Sequence, residues 1–232
     1  MIENRDSFLK NIAQQLGRDS IRTVPAKKPV PVNDYATTRY ADLGPVELEK
    51  LFIDAATNAM FAKVEVTDEA NVAETVSRIA KSYGDSVLMT RDERLDKDGI
   101  TQRLVGDFAD AKIWDPENPD ASINAADKAK VGVVYADYGI ADCGFIVLLS
   151  KPGCGRSVSL LPENSIVVVR RSTLLPRVAQ LAAKLHAKAK AGERMPGCIN
   201  LIGGPSSTAD IELIKVIGVH GPMNQIYVIV ED

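Results

Sequence analysis

A glycine- and hydroxyl-rich segment, residues 203–212, carries the residue types best suited to hold a small anion. It follows a β-like run at 198–202 and precedes a helix-like pattern over 207–218, so we predict that it opens a helix. Glycine lets the backbone approach a ligand closely, and the N–H groups at a helix N-terminus attract a carboxylate or phosphate. The segment supplies a candidate catalytic residue, Asp210, and the candidate substrate-binding residues Gly204, Ser206, Ser207, Thr208 and Glu212.

The same segment has a second interpretation. Ser207 and Asp210 have the spacing of a helix-capping pair, and acidic residues in a first helical turn complement the helix dipole. Asp210 and Glu212 would also repel an anion. The local sequence leaves open whether this segment caps a helix or binds a ligand.

A histidine in a turn is the candidate for proton transfer. His220 lies in the sequence Gly-Val-His-Gly-Pro at residues 218–222, and His186 lies in a Lys/Ala-rich, helix-like stretch typical of a solvated surface. Because an imidazole titrates near neutral pH, His220 is a candidate catalytic residue. The alternative, a turn histidine whose ring satisfies a backbone group, stays open.

Two further segments carry candidate residues. Asp142, in a predicted hairpin turn at 141–144, is a candidate catalytic base or a group that orients a substrate hydroxyl, and its alternative role is to form the turn. The neighbouring Cys143 is interpreted as a passive thiol. Arg156, in the glycine-rich loop 151–157, is a candidate binding partner for a small carboxylate, although a mobile, solvated turn is equally consistent with that loop.

The elements that must position these residues alternate between helix and strand from residue 46 onward. β-like runs at 63–66, 86–90, 111–114 and 131–135 are separated by helix-like stretches, which predicts an α/β domain over 46–232 with helices on both faces of a mostly parallel sheet. Residues 131–171 instead hold several β-like runs, including the predicted hairpin. Residues 1–45 form a separate region, with a helix at 2–17 and a Pro-rich arm at 22–45. Whether this helix packs on its own domain or on a neighbouring subunit stays open, so a homo-oligomer is one expectation.

Composition excludes several classes of function. The net charge of -3 and the 5% aromatic content do not suit phosphate-backbone binding or base stacking, so we expect no nucleic-acid partner. Three cysteines without a C-x-x-C pair predict free thiols and fall short of the four thiolates of an iron–sulfur cluster, so we expect no cofactor bound by this chain alone. The charged N-terminus and short apolar runs predict a cytoplasmic protein without membrane insertion.

Four motifs in the candidate segments resemble those of the LUD-domain family. They are Gly-Ile-Ala-Asp-Cys-Gly at 139–144, Ser-Leu-Leu-Pro at 159–162 ahead of Ile-Val-Val-Val at 166–169, Gly-Pro-Ser-Ser-Thr-Ala-Asp-Ile-Glu at 204–212, and Gly-Val-His-Gly-Pro at 218–222. Two positions depart from the family pattern, where Cys143 replaces a common threonine and Ser165 replaces a common histidine.

The resemblance implies a three-layer α/β/α sandwich similar to the NagB/RpiA/CoA-transferase superfamily. It also implies a subunit of a system that oxidises L-lactate to pyruvate with two iron–sulfur lactate-utilization proteins, whose clusters would take the electrons. Two alternatives stay open. One is a non-catalytic subunit that binds a small carboxylate such as L-lactate and serves assembly or regulation, and the other is a stand-alone acyl or phosphosugar enzyme on the same fold.

Overall fold

The computed structural model of the chain describes residues 4–21, 27, 29–209 and 214–232. Its backbone divides into two units, Met1–Asp34 and Tyr35–Asp232. The first unit contains helix α1 (Arg5–Gln15), which lies within the predicted N-terminal helix. The second unit contains the remaining elements, and it begins inside the predicted arm with a short helix, α2 (Tyr35–Thr38).

The remaining helices of the second unit are α3 (Pro45–Asp54), which continues into a π-helical turn (Ala55–Ala59), α4 (Val72–Tyr83), α5 (Glu93–Lys97), α6 (Ile100–Asp107), α7 (Pro119–Lys128), α8 (Ser157–Leu160) and α9 (Val178–Lys190). The strands are β1 (Lys63–Asp68), β2 (Ser86–Met89), β3 (Asp110–Ile113), β4 (Val131–Tyr135), β5 (Tyr138–Ile140), β6 (Phe145–Leu149), β7 (Asn164–Arg170), β8 (Leu174–Leu175), β9 (Ile199–Ile202), β10 (Ser207–Thr208), β11 (Val216–Ile217) and β12 (Asn224–Glu231).

The central sheet has six strands in the order β1-β12-β7-β4-β2-β3, and every neighbouring pair is parallel. Parallel strands are buried on both faces, which explains why β4 and β7 read as nearly unbroken apolar runs rather than as alternating patterns. β4 is buried at each of its positions and β7 at each position except Arg170. The predicted α/β class with a mostly parallel sheet is confirmed.

Helices cover both faces of this sheet. On one face, α4 buries Val72, Val76, Ile79 and Ala80, whose spacing places them along a single helical stripe against the strands. α5 and α6 pack on the same face. The other face is covered by α3, α7, α8 and a second sheet. There α8 lies directly on β4, because a Cβ at Gly132 would come within 1.9 Å of the Val158 carbonyl oxygen.

The second sheet has the order β8-β5-β6-β9 and is mixed, since β5 and β8 are parallel whereas β6 is antiparallel to both β5 and β9. The β5–β6 connection is the hairpin predicted at 141–144, and Gly144 closes it with a φ of 65°. Glycine adopts this left-handed conformation without steric cost. The β-rich middle of the chain therefore forms a separate layer over the central sheet.

The predicted helix over 207–218 is wrong at both of its ends, which are the parts of this stretch that the structure describes. Ser207 and Thr208 pair instead with Ile217 and Val216 as an antiparallel ladder, and the Gly218 N–H donates to the Ser206 carbonyl at 2.8 Å. Backbone pairing between these two short strands outweighs the capping preference of serine and aspartate, which is a weak local signal. The helix N-terminus that was expected to hold an anion is therefore not formed at Ser207.

Two other predicted helices begin or break at different residues. The helix predicted over 98–108 begins at Ile100, because Gly99, with a φ of 71°, separates α6 from the preceding α5. The stretch 174–191 begins as strand β8, and α9 starts after Pro176 at Val178. Proline disfavours a helical conformation in the residue before it, so Leu175 stays extended.

Candidate functional site

The order of the strands creates a switch point between β2 and β4. From β2 the chain moves outward to β3 at the edge of the sheet, then returns to β4 on the other side of β2, and later strands continue in that opposite direction. In open α/β sheets, ligands bind in the crevice at the carboxyl ends of the strands at such a point. Thr90 and Asp92 follow β2, and Asp137 follows β4, so their side chains belong to this crevice.

A small enclosed chamber, the inner chamber, lies at this switch point. Its volume is about 20 Å³, and it lies between Thr90, Val134 and Asp137 of the central layer and Leu148 and Leu149 of β6. A chamber of this size accommodates about one water-sized group. The inner chamber is further lined by Tyr135, Ser150, Lys151, Cys154, Gly155, Arg156, Ser159 and Asn200.

A larger open pocket, the outer pocket, adjoins the inner chamber. Its volume is about 530 Å³, and Arg194 contributes a further cation to it. The residues that line both spaces are Ser150, Lys151, Cys154, Gly155 and Arg156. Because the spaces share these walls, we treat the inner chamber and the outer pocket together as the switch-point site.

A buried carboxylate anchors the cations of the site. Asp92 is 4% exposed, and its two oxygens accept hydrogen bonds from the Arg94 guanidinium at 3.0 and 2.7 Å. The Lys151 ammonium lies 2.9 Å from Asp92 Oδ2. Burial opposes the charge on Asp92, but these hydrogen bonds and the nearby positive charges outweigh it and hold the pKa of Asp92 well below its usual range. Asp92 is therefore an ionised anchor at neutral pH.

Arg94 joins the ends of the two strands. Besides Asp92 it contacts Asp137 at 3.1 Å, and it donates to the carbonyl oxygens of Tyr135 and Ala136 at 3.3 and 3.0 Å. Asp137 in turn accepts from the Leu149 N–H at 2.7 Å, which ties β4 to the second sheet. A planar guanidinium suits such a fork of contacts better than an ammonium does. Arg94 therefore holds the walls of the inner chamber at a defined separation.

The Thr90 hydroxyl is a buried polar group of the site with unused hydrogen-bonding capacity. Thr90 is 3% exposed, its backbone N–H donates to the Val133 carbonyl at 3.1 Å, and its Oγ1 has no hydrogen-bond partner among the described protein atoms. Buried hydroxyls nearly always have a partner, because an unmet one costs free energy. In a residue that lines a ligand cavity, such an unpaired hydroxyl is available to hydrogen-bond a ligand.

The thiol of Cys154 is not an activated nucleophile. Its Sγ lies 3.5 Å from Asp92 Oδ2, to which it donates. Burial raises the pKa of Cys154 to about 12, the Lys151 charge lowers it, and the Asp92 charge raises it further. A reactive cysteine needs a lowered pKa. Cys154 therefore acts here as a protonated hydrogen-bond donor.

The loop that carries Lys151 and Arg156 is held firmly. The Arg91 N–H donates to the Gly153 carbonyl at 2.8 Å, and the Trp114 Nε1–H donates to the Pro152 carbonyl at 3.1 Å. A Cβ at Gly155 would lie 2.3 Å from the Trp114 ring, so this contact requires glycine. These contacts attach the backbone of the loop to the residues that follow β2 and β3.

Arg156 is the sequence-predicted binding residue that lies in the switch-point site. Its side chain is exposed toward the outer pocket and donates to the Cys198 Sγ at 3.8 Å. Sulfur is a weak acceptor, so a carboxylate would be a stronger partner for this guanidinium. The role of Arg156 in binding stays a prediction, now with a defined location.

A separate group of predicted residues lines a groove at the other end of the central sheet. Gly204, Ser206, Ser207 and His220 come together there beside Gln225, which lies at the amino end of β12. The groove has a volume of about 450 Å³. His220 is exposed in the turn between β11 and β12, and Thr208 lies in β10. Asp210 and Glu212 lie outside the described residues.

The close backbone approach expected at Gly204 is made by the protein itself. A Cβ at Gly204 would lie 1.8 Å from the Met60 carbonyl oxygen, and the Gly204 N–H donates to the Tyr227 hydroxyl at 3.0 Å. Its φ of 69° also favours glycine. This glycine is thus explained by packing between the groove loop and the π-helical turn.

Asp142 forms an ion pair in the β5–β6 turn. The Arg177 Nε lies 2.7 Å from Asp142 Oδ2, and Arg177 also donates to the Tyr35 carbonyl at 2.6 Å. These contacts join the hairpin to the start of α9 and to α2. Asp142 is not among the residues that line the switch-point site or the groove. A catalytic role for it stays a prediction.

Sequence reasoning missed the core of the switch-point site, which consists of Thr90, Asp92, Arg94 and Asp137. A signal was present, since the predicted strands 86–90 and 131–135 end at these residues. The strand order that makes β2 and β4 neighbours was the missing information.

The comparisons with known proteins agree with this architecture. The LUD domain family model matches residues 49–230. The chain belongs to the LUD domain family. Within that family, this LUD-domain chain is 51% identical to "Uncharacterized protein YkgG" of Escherichia coli (strain K12), with both chains fully covered. It is 37% identical to "Lactate utilization protein C" of Halalkalibacterium halodurans, again over the whole of both chains.

A solved structure shares the fold of this LUD-domain protein. A DUF162 family protein from Deinococcus radiodurans superposes with a TM-score of 0.55 at 23% identity, covering 82% of this chain and 99% of the other. Within the described parts of this chain, no helix is both long and apolar enough to cross a bilayer. The same residues contain no group of three or more His, Cys, Asp or Glu side chains arranged to hold a metal ion.

Proposed function

We propose that this LUD-domain chain serves L-lactate utilization, as a subunit that works with iron–sulfur partner proteins to oxidise L-lactate to pyruvate. The observation that carries the proposal is end-to-end similarity to relatives named for lactate utilization, at 37% identity over all of both chains for the Halalkalibacterium protein and 35% for the Geobacillus sp. protein. Similarity over the entire length supports a shared role better than a shared domain alone would.

The cysteines support a division of labour with partner proteins. The full sequence has three of them, fewer than the four thiolates of a typical cluster. Burial raises the pKa of Cys143 to about 11 and that of Cys154 to about 12, so both are protonated thiols at neutral pH. In this proposal the clusters belong to the partners, and this chain handles the carboxylic acid.

The proposal is tested by L-lactate-dependent dye reduction with the two iron–sulfur partner proteins, in the presence and absence of this chain. We expect reduction to require the full chain, and equal activity without it would refute the proposal. Variants His220→Gln and Asp142→Asn then test the two described candidate catalytic residues. A loss in the maximal rate with unchanged folding is expected for whichever of them transfers a proton.

A second candidate function is a non-catalytic subunit that binds a small carboxylate and regulates or assembles the complex. The protonation states of two residues at the switch-point site favour this candidate, because Asp92 is ionised and Cys154 is protonated at neutral pH. Neither group is poised to exchange a proton with a substrate. In a regulatory subunit, Arg156→Ala would shift the concentration of L-lactate that gives half-maximal activity and leave the maximal rate unchanged.

A further inference from the structure

The switch-point site has a surplus of positive charge. Among the described residues, the charged side chains that line it are Asp137, Lys151, Arg156 and Arg194. Behind them, Arg94 pairs with Asp137 and Asp92 pairs with Lys151. Arg94 already pairs with both carboxylates. The remaining cations lie toward the outer pocket, where they favour an anionic ligand.

Lys151 and Arg156 are placed to hold one anionic group together. Both line the inner chamber and the outer pocket, so an anion at the boundary between the two spaces lies within reach of either. Lys151 is shared with Asp92 at 2.9 Å, whereas the described partner of Arg156 is the weakly accepting Cys198 thiol at 3.8 Å. Arg156 therefore gains most from a carboxylate, which accepts hydrogen bonds far better than sulfur does.

The inner chamber offers a second, independent feature. Thr90 is 3% exposed, its Oγ1 lacks a hydrogen-bond partner among the described protein atoms, and the residue is one of those that line the chamber. A hydroxyl can both donate and accept one hydrogen bond, so it matches a ligand hydroxyl or a ligand carbonyl oxygen equally well. The volume of about 20 Å³ admits about one such oxygen-sized group and no larger substituent.

We propose that the switch-point site binds a small 2-hydroxy or 2-oxo acid. Lys151 and Arg156 hold its carboxylate at the mouth of the inner chamber, and the Thr90 hydroxyl hydrogen-bonds the oxygen on C2 inside the chamber. The choice of a hydroxy or oxo acid rests on the proposed function, and the site itself rests on the charge, burial and volume described above. L-Lactate and pyruvate are the probes that fit this chemistry, whereas propionate has the carboxylate without the C2 oxygen.

The test is calorimetric titration of the full chain with L-lactate, pyruvate, propionate and inorganic phosphate. We expect L-lactate or pyruvate to bind more tightly than propionate and phosphate. Arg156→Ala should weaken the binding of these acids by about tenfold or more, since a charge-assisted hydrogen bond is lost. Lys112→Ala is the matched control, because Lys112 is exposed on the edge strand β3 and lies outside the site.

Thr90→Val probes the inner chamber separately. It should weaken L-lactate and pyruvate by about fivefold to tenfold and leave propionate unchanged, because only the first two present a C2 oxygen to the hydroxyl. Thr75→Val, which removes a buried hydroxyl elsewhere, should leave all affinities unchanged. Circular dichroism spectra of the variants confirm that each is folded before titration.

Four results would overturn the inference. They are no binding of any of the acids, tighter binding of phosphate than of any carboxylate, equal affinity for propionate and pyruvate, and unchanged binding by Arg156→Ala. The dye-reduction assay separates this failure from failure of the proposed function. If that assay requires the chain but the chain binds none of the acids, the function stands and the site assignment falls. If the acids bind as expected but the assay does not require the chain, the site stands and the function falls.

Discussion

Replacing Thr90 with valine should make the ligand-free protein more stable. Valine has nearly the shape of threonine but lacks the hydroxyl. Thr90 is 3% exposed, and its Oγ1 has no hydrogen-bond partner in the part of the chain that the structure describes. Most substitutions of a buried residue destabilise a protein, so an increase in stability is an unusual expectation. It follows from the cost of keeping an unpaired hydroxyl out of water.

The size of the effect follows from that cost. An unsatisfied buried polar group costs about 1–3 kcal/mol, and the chamber wall keeps its shape when valine replaces threonine. We therefore expect the free energy of unfolding to rise by about 1 kcal/mol or more, which corresponds to an increase in Tm of about 2–4 °C for a domain of this size. The same variant should bind L-lactate or pyruvate less tightly, so stability and affinity should change in opposite directions.

Urea unfolding and calorimetry of the full chain measure the change, and Thr75→Val is the control. Thr75 is 8% exposed, and its hydroxyl lies 3.1 Å from that of Thr67. Because that variant removes a hydrogen bond that is made, it should lose about 0.5–1.5 kcal/mol. If Thr90→Val loses as much stability as Thr75→Val, the Thr90 hydroxyl has a partner in solution and the reasoning is refuted.

Three further changes have defined outcomes. Burial acts against the charge of Asp92 but its cationic neighbours outweigh it, so its contribution to stability is complete above about pH 4 and fades as the pH falls below that. Asp92→Asn should therefore be less stable than the parent in urea at pH 7, and the difference should shrink steadily as the pH falls from about 4 to 2. Burial raises the pKa of Cys143 to about 11 and that of Cys154 to about 12, so both thiols should react slowly with iodoacetamide at neutral pH. Peptide mapping after a brief treatment should find both cysteines unmodified, and rapid alkylation of either would contradict this. Gly204→Ala should lower the urea midpoint by an amount equivalent to about 1 kcal/mol or more, because a Cβ would lie 1.8 Å from the Met60 carbonyl oxygen. The control Gly106→Ala should not lower the midpoint, because a Cβ there meets no atom within 4 Å.

The candidate binding residues fall into two groups, one in the switch-point site and one in the groove. Arg156 lies with Lys151 on the wall of a cavity at the switch point, where α/β folds place their ligands. His220 and Ser206 line a groove at the amino end of the central sheet instead. Variants at the two locations can therefore be compared. If substitutions in only one of the two groups abolish ligand binding, that group marks the end of the sheet that holds the ligand.

The apolar runs of the chain were sufficient to predict the α/β class and most strands. β4 coincides with the predicted run 131–135, and β7 lies within the stretch 131–171 that was predicted to be rich in β-structure. Runs of valine and isoleucine buried on both faces are typical of parallel strands, so their composition reveals them without tertiary information. The hairpin at 141–144 was predictable for a similar local reason, because aspartate and glycine favour tight turns.

Local sequence was insufficient where pairing between two strands decides the conformation. Residues 207–218 have the capping residues of a helix, yet Ser207 and Thr208 pair with β11. The switch-point site was hidden for the same reason, since Thr90 and Asp137 are 47 positions apart in the chain and meet because β2 pairs with β4. Sequence by itself determined the strands of the central sheet and the hairpin, because local composition and turn chemistry encode them. Tertiary structure alone decided which strand ends face one another, because strand order depends on packing between residues far apart in the chain.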